Sequence, residues 1–243
     1  VWFKSDFMKH FLYFFLLIAY SLFSQNIGSN GVRSDSRIND LFELIKNRVN
    51  KYPNTNPKVK GSEYFDKIFK PAEVKYFDKD LDENIFLRYN AYKDEIEFSN
   101  NPKTLSSDKI LMKNMNISCI IEDEKYVYTN YVNINGLRKE GYLVVLFIGK
   151  KYALYEKRIK LFMEGSEAKT SLERSFDPRF VEKFKYYVSK NNGEKKEIKI
   201  NKKNLVELLG YDARNKKIII KQNKLKFKTV PDVITILKEF DQI

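Results

Sequence analysis

The stretch Ile85–Phe98, IFLRYNAYKDEIEF, decides how this chain is read. Ile85, Leu87, Tyr89 and Ala91 occupy every second position, the spacing that sends side chains to one face of a β-strand. Arg88 and Asn90 then face the other way. The phase changes further on, because Ile96 and Phe98 are even-numbered, and one unbroken strand would carry its apolar set from core to solvent. A bulge or corner near Tyr92–Asp94 repairs that register. The same stretch concentrates the polar residues Arg88, Asn90, Asp94, Glu95 and Glu97. Arg88 paired to a carboxylate across the bend would hold the register as a structural network. Alternatively, two of the carboxyls would serve as proton donor and base, the pair that glycoside cleavage demands. Alternating carboxylates on a strand are also commonly a solvated face.

Strand signals continue on both sides. Ala72–Phe77 precedes the acidic run Asp78-Lys79-Asp80-Leu81-Asp82-Glu83-Asn84, which reads as the turn of a hairpin with the Ile85 strand. Asp78, Asp80 and Asp82 alternate as in a calcium loop, but the glycine and closing glutamate of an EF-hand are missing, so no calcium site is expected. Asn100-Asn101-Pro102 makes a turn, Met115, Ile117, Cys119 and Ile121 alternate, Glu122 to Lys125 turns the chain, and Tyr126–Tyr131 runs extended. The clearest hairpin joins Tyr142–Ile148 to Tyr152–Phe162 through Gly149-Lys150-Lys151. Its continuous apolar run LVVLFI implies a strand covered on both faces, in the middle of the sheet.

The fold class that follows is α+β: an antiparallel β meander or open barrel over residues 61–163, then a small helical subdomain. Residues 164–177, small and polar, read as a flexible loop or boundary. Within 178–243, Arg179–Ser189 and Lys195–Ile200 flank Asn191-Asn192-Gly193, whose Asn-Gly pair favours a tight hairpin turn. Three helices complete the chain, capped by Asn201, Asp212 and Thr229. Gly210 ends the first. The third has Pro231 in its first turn, Asp232 in capping-box position, and Val233, Ile234, Leu237 and Phe240 as its buried stripe.

At the other end, Met8-Lys9-His10, the apolar run Phe11–Phe23 and Ser24-Gln25-Asn26 have the order of a secretory signal peptide, with Met8 as the true start and residues 1–24 removed. The 13 residues of the apolar run fall short of the ~20 that span a bilayer. No transmembrane span is expected after cleavage, and the destination is the periplasm, the outer-membrane periphery or the exterior. Residues 25–60 read as a leader with one amphipathic helix across Ser36–Tyr52, set by Ile38, Leu41, Phe42, Ile45, Val49 and Tyr52, then a linker with two prolines.

Composition narrows the chemistry. His10 is the one histidine, so the mature chain has no Ser-His-Asp or Cys-His nucleophile and no histidine metal site. Cys119 is the one cysteine, which excludes an internal disulfide and a cysteine cluster and reads as a buried thiol. No cofactor is implied. The net charge of +13 is uneven: residues 178–243 carry 17 basic and 8 acidic residues. Lys195, Lys196, Lys202, Lys203, Lys216, Lys217, Lys224 and Lys226 are the candidate anion-binding set, with Lys199, Lys221 and Lys228 beside them. Lipopolysaccharide, an acidic glycan or another envelope protein are the expected partners. Nucleic acid is not, because lysines without arginine forks or stacking aromatics carry little specificity. Solvated helix faces would explain the same lysines.

Two runs carry a resemblance. KGSEYFDKIFKPAEVKYFDKDLDENIFLRYNAYKDEIEF and the Lys-rich end KEIKINKKNLVELLGYDARNKKIIIKQNKLKFKTVPDVITILKEF resemble a family of exported proteins of unknown function common in Bacteroidota, with an LRYN-x-Y-x-DE-x-EF core. Leu87, Arg88, Tyr89, Asn90, Tyr92, Asp94, Glu95, Glu97 and Phe98 match it, and the likeness covers roughly residues 60–243. It implies export and a β-then-α layout, and no catalytic residues. The expected function is a non-enzymatic cell-envelope binding module, with a carboxylate-dependent hydrolase of envelope or extracellular glycans as the alternative.

Overall fold

The structure, a computed structural model, describes residues 44–47, 59–168, 170, 174–210 and 227–241. These belong to one compact unit, residues 43–243. The expected export segment 1–24, most of the expected Ser36–Tyr52 helix and the expected Asp212 helix lie outside the described residues.

Among the described residues eleven strands form one sheet: β1 Ile45–Asn47, β2 Lys70–Tyr76, β3 Lys79–Asn90, β4 Glu95–Ser99, β5 Lys109–Leu111, β6 Ile117–Ile121, β7 Glu124–Val132, β8 Arg138–Ile148, β9 Tyr152–Met163, β10 Arg179–Lys190 and β11 Lys196–Ile198. Their order is β1-β5-β4-β3-β2-β6-β7-β11-β10-β9-β8, and β7 also pairs with β8, so the pairings of β7 to β11 run in a circuit. Every pairing is antiparallel except β11 with β7, which meet in parallel at Lys196 and Val132. Two helices are described, α1 Lys202–Leu209 and α2 Val230–Asp241. None of the described helices is long and apolar enough to cross a membrane.

The stretch Ile85–Phe98 is a hairpin. β3 ends at Asn90, residues 91–94 turn, and β4 returns with Arg88 opposite Glu97 and Asn90 opposite Glu95. The turn explains the phase change. Asn90 Oδ1 accepts from the N–H groups of Tyr92 (3.2 Å) and Lys93 (3.0 Å), and Asp94 adopts the left-handed φ of 55° that the corner needs. Both faces are buried over the last four residues of β3, Leu87 and Tyr89 on one and Arg88 and Asn90 on the other.

Several expectations are corrected. The acidic run is not a turn: β3 begins at Lys79, and Phe77-Asp78 alone reverse the chain with φ of 49° and 59°. The β2–β3 ladder extends through Val74, Lys75 and Tyr76, which overrides the turn propensity of the aspartates. Ile45–Asn47 is strand, not helix, because it completes the ladder of β5 with Ile45 opposite Leu111. Asn191 and Asn192 take the two left-handed positions, and Gly193 closes the turn by donating to Lys190 O, one residue out of step with an Asn-Gly turn. In α2 Ile236 joins Val233, Leu237 and Phe240 in the buried stripe, and Ile234 is only partly covered.

Other expectations hold. β8 and β9 form the long apolar hairpin, and Asn201 caps α1 by accepting from the N–H of Asn204 at 2.9 Å, with Gly210 ending it. β9 and β10 pair over twelve residues, and between them Ser166 and Phe176 exchange mutual backbone bonds. Period-two alternation then sorts two cores. Tyr131, Leu143, Ala153, Tyr155 and Tyr187 pack together from β7 to β10, while Leu154 and Val188 face Leu205, Leu209, Val233 and Phe240 of the helices.

Candidate functional site

The polar residues of the β3–β4 hairpin divide between two networks. Arg88 and Glu97, cross-strand partners, are 3% and 0% exposed and meet through Nη2 and Oε2 at 2.5 Å. Arg88 Nε donates to the same oxygen at 3.1 Å, and Nη1 donates to the carbonyl of Lys67 at 2.6 Å. Tyr64 Oη donates to Glu97 Oε1 at 2.9 Å, and Asn90 Nδ2 donates to Glu97 at 3.2 Å and Glu63 at 2.7 Å. The guanidinium lies 3.9 Å from the Tyr64 ring centre and 4.2 Å from that of Phe69. Burial, with Glu97 adjacent, pushes the Tyr64 phenol well above its ordinary value. A buried ion pair is tolerated where donors and acceptors are filled in this way. The segment that fills them, residues 63–69, shows no periodicity, which is why sequence reading missed Glu63 and Tyr64.

Asp94 points elsewhere. Its Oδ1 accepts from Lys157 Nζ of β9 at 2.6 Å, Tyr89 Oη at 2.7 Å and the Tyr142 N–H at 3.3 Å. Lys157 also donates to Tyr142 O at 3.0 Å. Gly141 makes the approach possible, since a methyl there would collide with the Asp94 carboxylate and lie 2.8 Å from Lys157 Nζ. Burial holds the Lys157 ammonium below its usual range against the opposing pull of Asp94. Glu95, half-buried, starts β4. The signal for Lys157 and Arg158 was the charged run Glu156-Lys157-Arg158, with Lys160 beyond it, inside a strand apolar at both ends, which demands buried partners.

A cavity of about 390 Å³ lies beside the first network. Phe65, Tyr89 and Tyr126 give it ring surface, and Arg88, Arg158 and Lys70 line it together with Asp66, Glu122, Asp123 and Glu124. Asp94, Glu95 and Glu97 do not. Arg158 binds Glu124 through both terminal nitrogens and donates Nε–H to Glu156 at 2.8 Å. Lys70 bridges Asp66 at 2.6 Å and Glu122 at 2.7 Å. The bonds from Arg158 hold Glu124 below the usual carboxylate range.

Half of the candidate lysines, Lys195, Lys196, Lys202 and Lys203, fall among the described residues. Lys195 is half-buried, its ammonium 5.4 Å from the Tyr155 ring centre and disfavoured by burial. Lys196 is exposed on β11, and Lys202 and Lys203 are exposed in the first turn of α1, where no acidic residue offsets them. Lys216, Lys217, Lys224 and Lys226 lie outside the described residues. Cys119 is a buried thiol that burial pushes far up. Among the described residues no group of acidic, cysteine or histidine side chains is arranged to hold a metal ion. Comparisons with family models, curated proteins and solved structures return no match for this chain.

Proposed function

We propose that this protein is an exported, non-enzymatic binding module of the cell envelope, whose basic carboxy-terminal part attaches to lipopolysaccharide, an acidic glycan or another envelope protein. One contrast supports it. Asp94 and Glu97 each face a buried cation, whereas Lys196, Lys199, Lys202, Lys203 and Lys228 are exposed and hold no ion pair among the described residues. Lysines in the first turn of α1 also oppose the helix dipole, a local cost that a partner anion would offset. The signal-like residues 8–24 and the resemblance to exported Bacteroidota proteins support the location. The circuit of pairings from β7 to β11 supports an open barrel as the finer architecture. Purified protein retained on heparin and lipopolysaccharide resins, with retention falling steeply as salt rises, is the expected result. Passage through both resins at low salt would rule the reading out.

The alternative hydrolase has one observation in its favour, the carboxylates Asp66, Glu122, Asp123 and Glu124 around one cavity. Asp66 and Glu122 are bound to Lys70, and Glu124 is kept ionised by Arg158, so a proton donor is hard to assign. Release of reducing ends from envelope glycans, abolished by Asp123→Asn, would reverse the order of the two readings.

A further inference from the structure

We infer that the cavity beside Arg88 and the aromatic strip leading out of it form one extended site for an uncharged oligosaccharide. This deepens the binding-module reading and rests on it, though not on its charge-based attachment.

The strip starts at Phe65, which lines the cavity and packs on Phe184 of β10 with ring centres 5.2 Å apart. Phe184 and Phe180 share a strand face four residues apart, a step of about 13 Å. Phe180 then meets Phe162 of β9 at 5.3 Å and Tyr92 of the β3–β4 turn at 5.4 Å. Phe184, Phe162 and Tyr92 remain 43%, 40% and 46% exposed. Rings left in water along one face, continuous with a cavity, mark a binding surface. Sugar rings fit it because their axial C–H bonds carry partial positive charge and seat on the negative face of an aromatic ring.

Charge decides among ligands that stack. The lysine and arginines that line the cavity, and Lys160 over the Phe65 ring, each face a carboxylate: Arg88 with Glu97, Arg158 with Glu124, Lys70 with Asp66 and Glu122, and Lys160 with Glu182 at 2.7 Å. Asp123 adds a further negative charge to the lining. A phosphate or uronate finds no surplus cation here, which disfavours nucleic acid, lipopolysaccharide phosphates and acidic glycans at this site. Paired carboxylates and guanidinium groups still offer the acceptors and donors that vicinal hydroxyls need.

Isothermal titration of the full chain with maltohexaose, cellohexaose and mannohexaose, against hexagalacturonate, tests the assignment. At least one neutral hexasaccharide is expected to bind with affinity that salt barely changes, and hexagalacturonate to bind more weakly. Phe184→Ala and Tyr92→Ala should each weaken binding about tenfold through lost ring contact, with Phe184→Trp restoring it. Both positions are half-exposed, and unchanged thermal melts confirm folding. Failure of all three neutral hexasaccharides, equal binding of hexagalacturonate, or unaltered affinity in both alanine variants would overturn the inference. Retention on heparin resin reads the lysine surface instead, so the two readings fail separately.

Discussion

One hairpin contributes to two ion pairs with buried cations, and they are built differently. Arg88–Glu97 joins neighbours on β3 and β4, uses a cation that cannot shed its proton, and is filled by Tyr64, Asn90 and the Lys67 carbonyl. Asp94–Lys157 joins the turn of that hairpin to β9 across 63 positions of sequence, and its cation is already held below its usual range by burial. The first pair sets a register and the second docks the hairpin onto β9. The difference teaches that a buried lysine leaves an escape by deprotonation that an arginine does not.

Substitutions should separate them. Glu97→Ala strands a permanent charge in the interior and should cost about 3–5 kcal/mol in urea unfolding. A loss under ~1 kcal/mol would show that the network is incidental. Asp94→Asn should cost less, about 1–3 kcal/mol, because Lys157 can become neutral. Gly141→Ala should reproduce most of that loss by displacing the Asp94 carboxylate, and equal costs for Glu97→Ala and Asp94→Asn would erase the distinction drawn here.

Tyrosines over both networks supply a pH test. Burial raises Tyr64 and Tyr89 and pushes Tyr131 up to about 12. A folded value above the unfolded one gives stability that is whole below pH 10 and is lost as pH climbs through the folded values. Stability should therefore fall above pH 10, with phenolate absorbance at these residues appearing together with unfolding. Absorbance that rises before unfolding would mean that water reaches the rings. The smallest effect is expected outside both networks. The double change Lys202→Glu with Lys203→Glu should raise stability by about 0.3–1 kcal/mol per residue through the helix dipole, while elution from heparin moves to lower salt.

Much of the fold was legible because it is local. Alternation from Ile85 to Ala91, the apolar β8–β9 hairpin, Asn201 as cap and Gly210 as stop are consequences of period and backbone preference within a few residues. The acidic run failed as a turn because three cross-strand pairs of β2 hold it extended, and Ile45 failed as helix because its partner Leu111 is distant in sequence. Of the candidate cluster Arg88, Asn90, Asp94, Glu95 and Glu97, the residues Arg88, Asn90 and Glu97 meet in one network, whereas Asp94 bonds Lys157 of β9. Its left-handed backbone turns the carboxylate toward β9.

Taken by itself, the order of residues determined what is present: strands by alternation, caps by side-chain chemistry, no imidazole after His10, and a basic end. Only the tertiary structure decided which charges are neutralised. Arg88, Lys157, Arg158 and Lys160 find carboxylates in the fold, while Lys196, Lys202 and Lys203 find none among the described residues. The reason is physical. Burial imposes a partner on every ion it removes from water, and which strands bury one another is a long-range outcome that no local pattern contains.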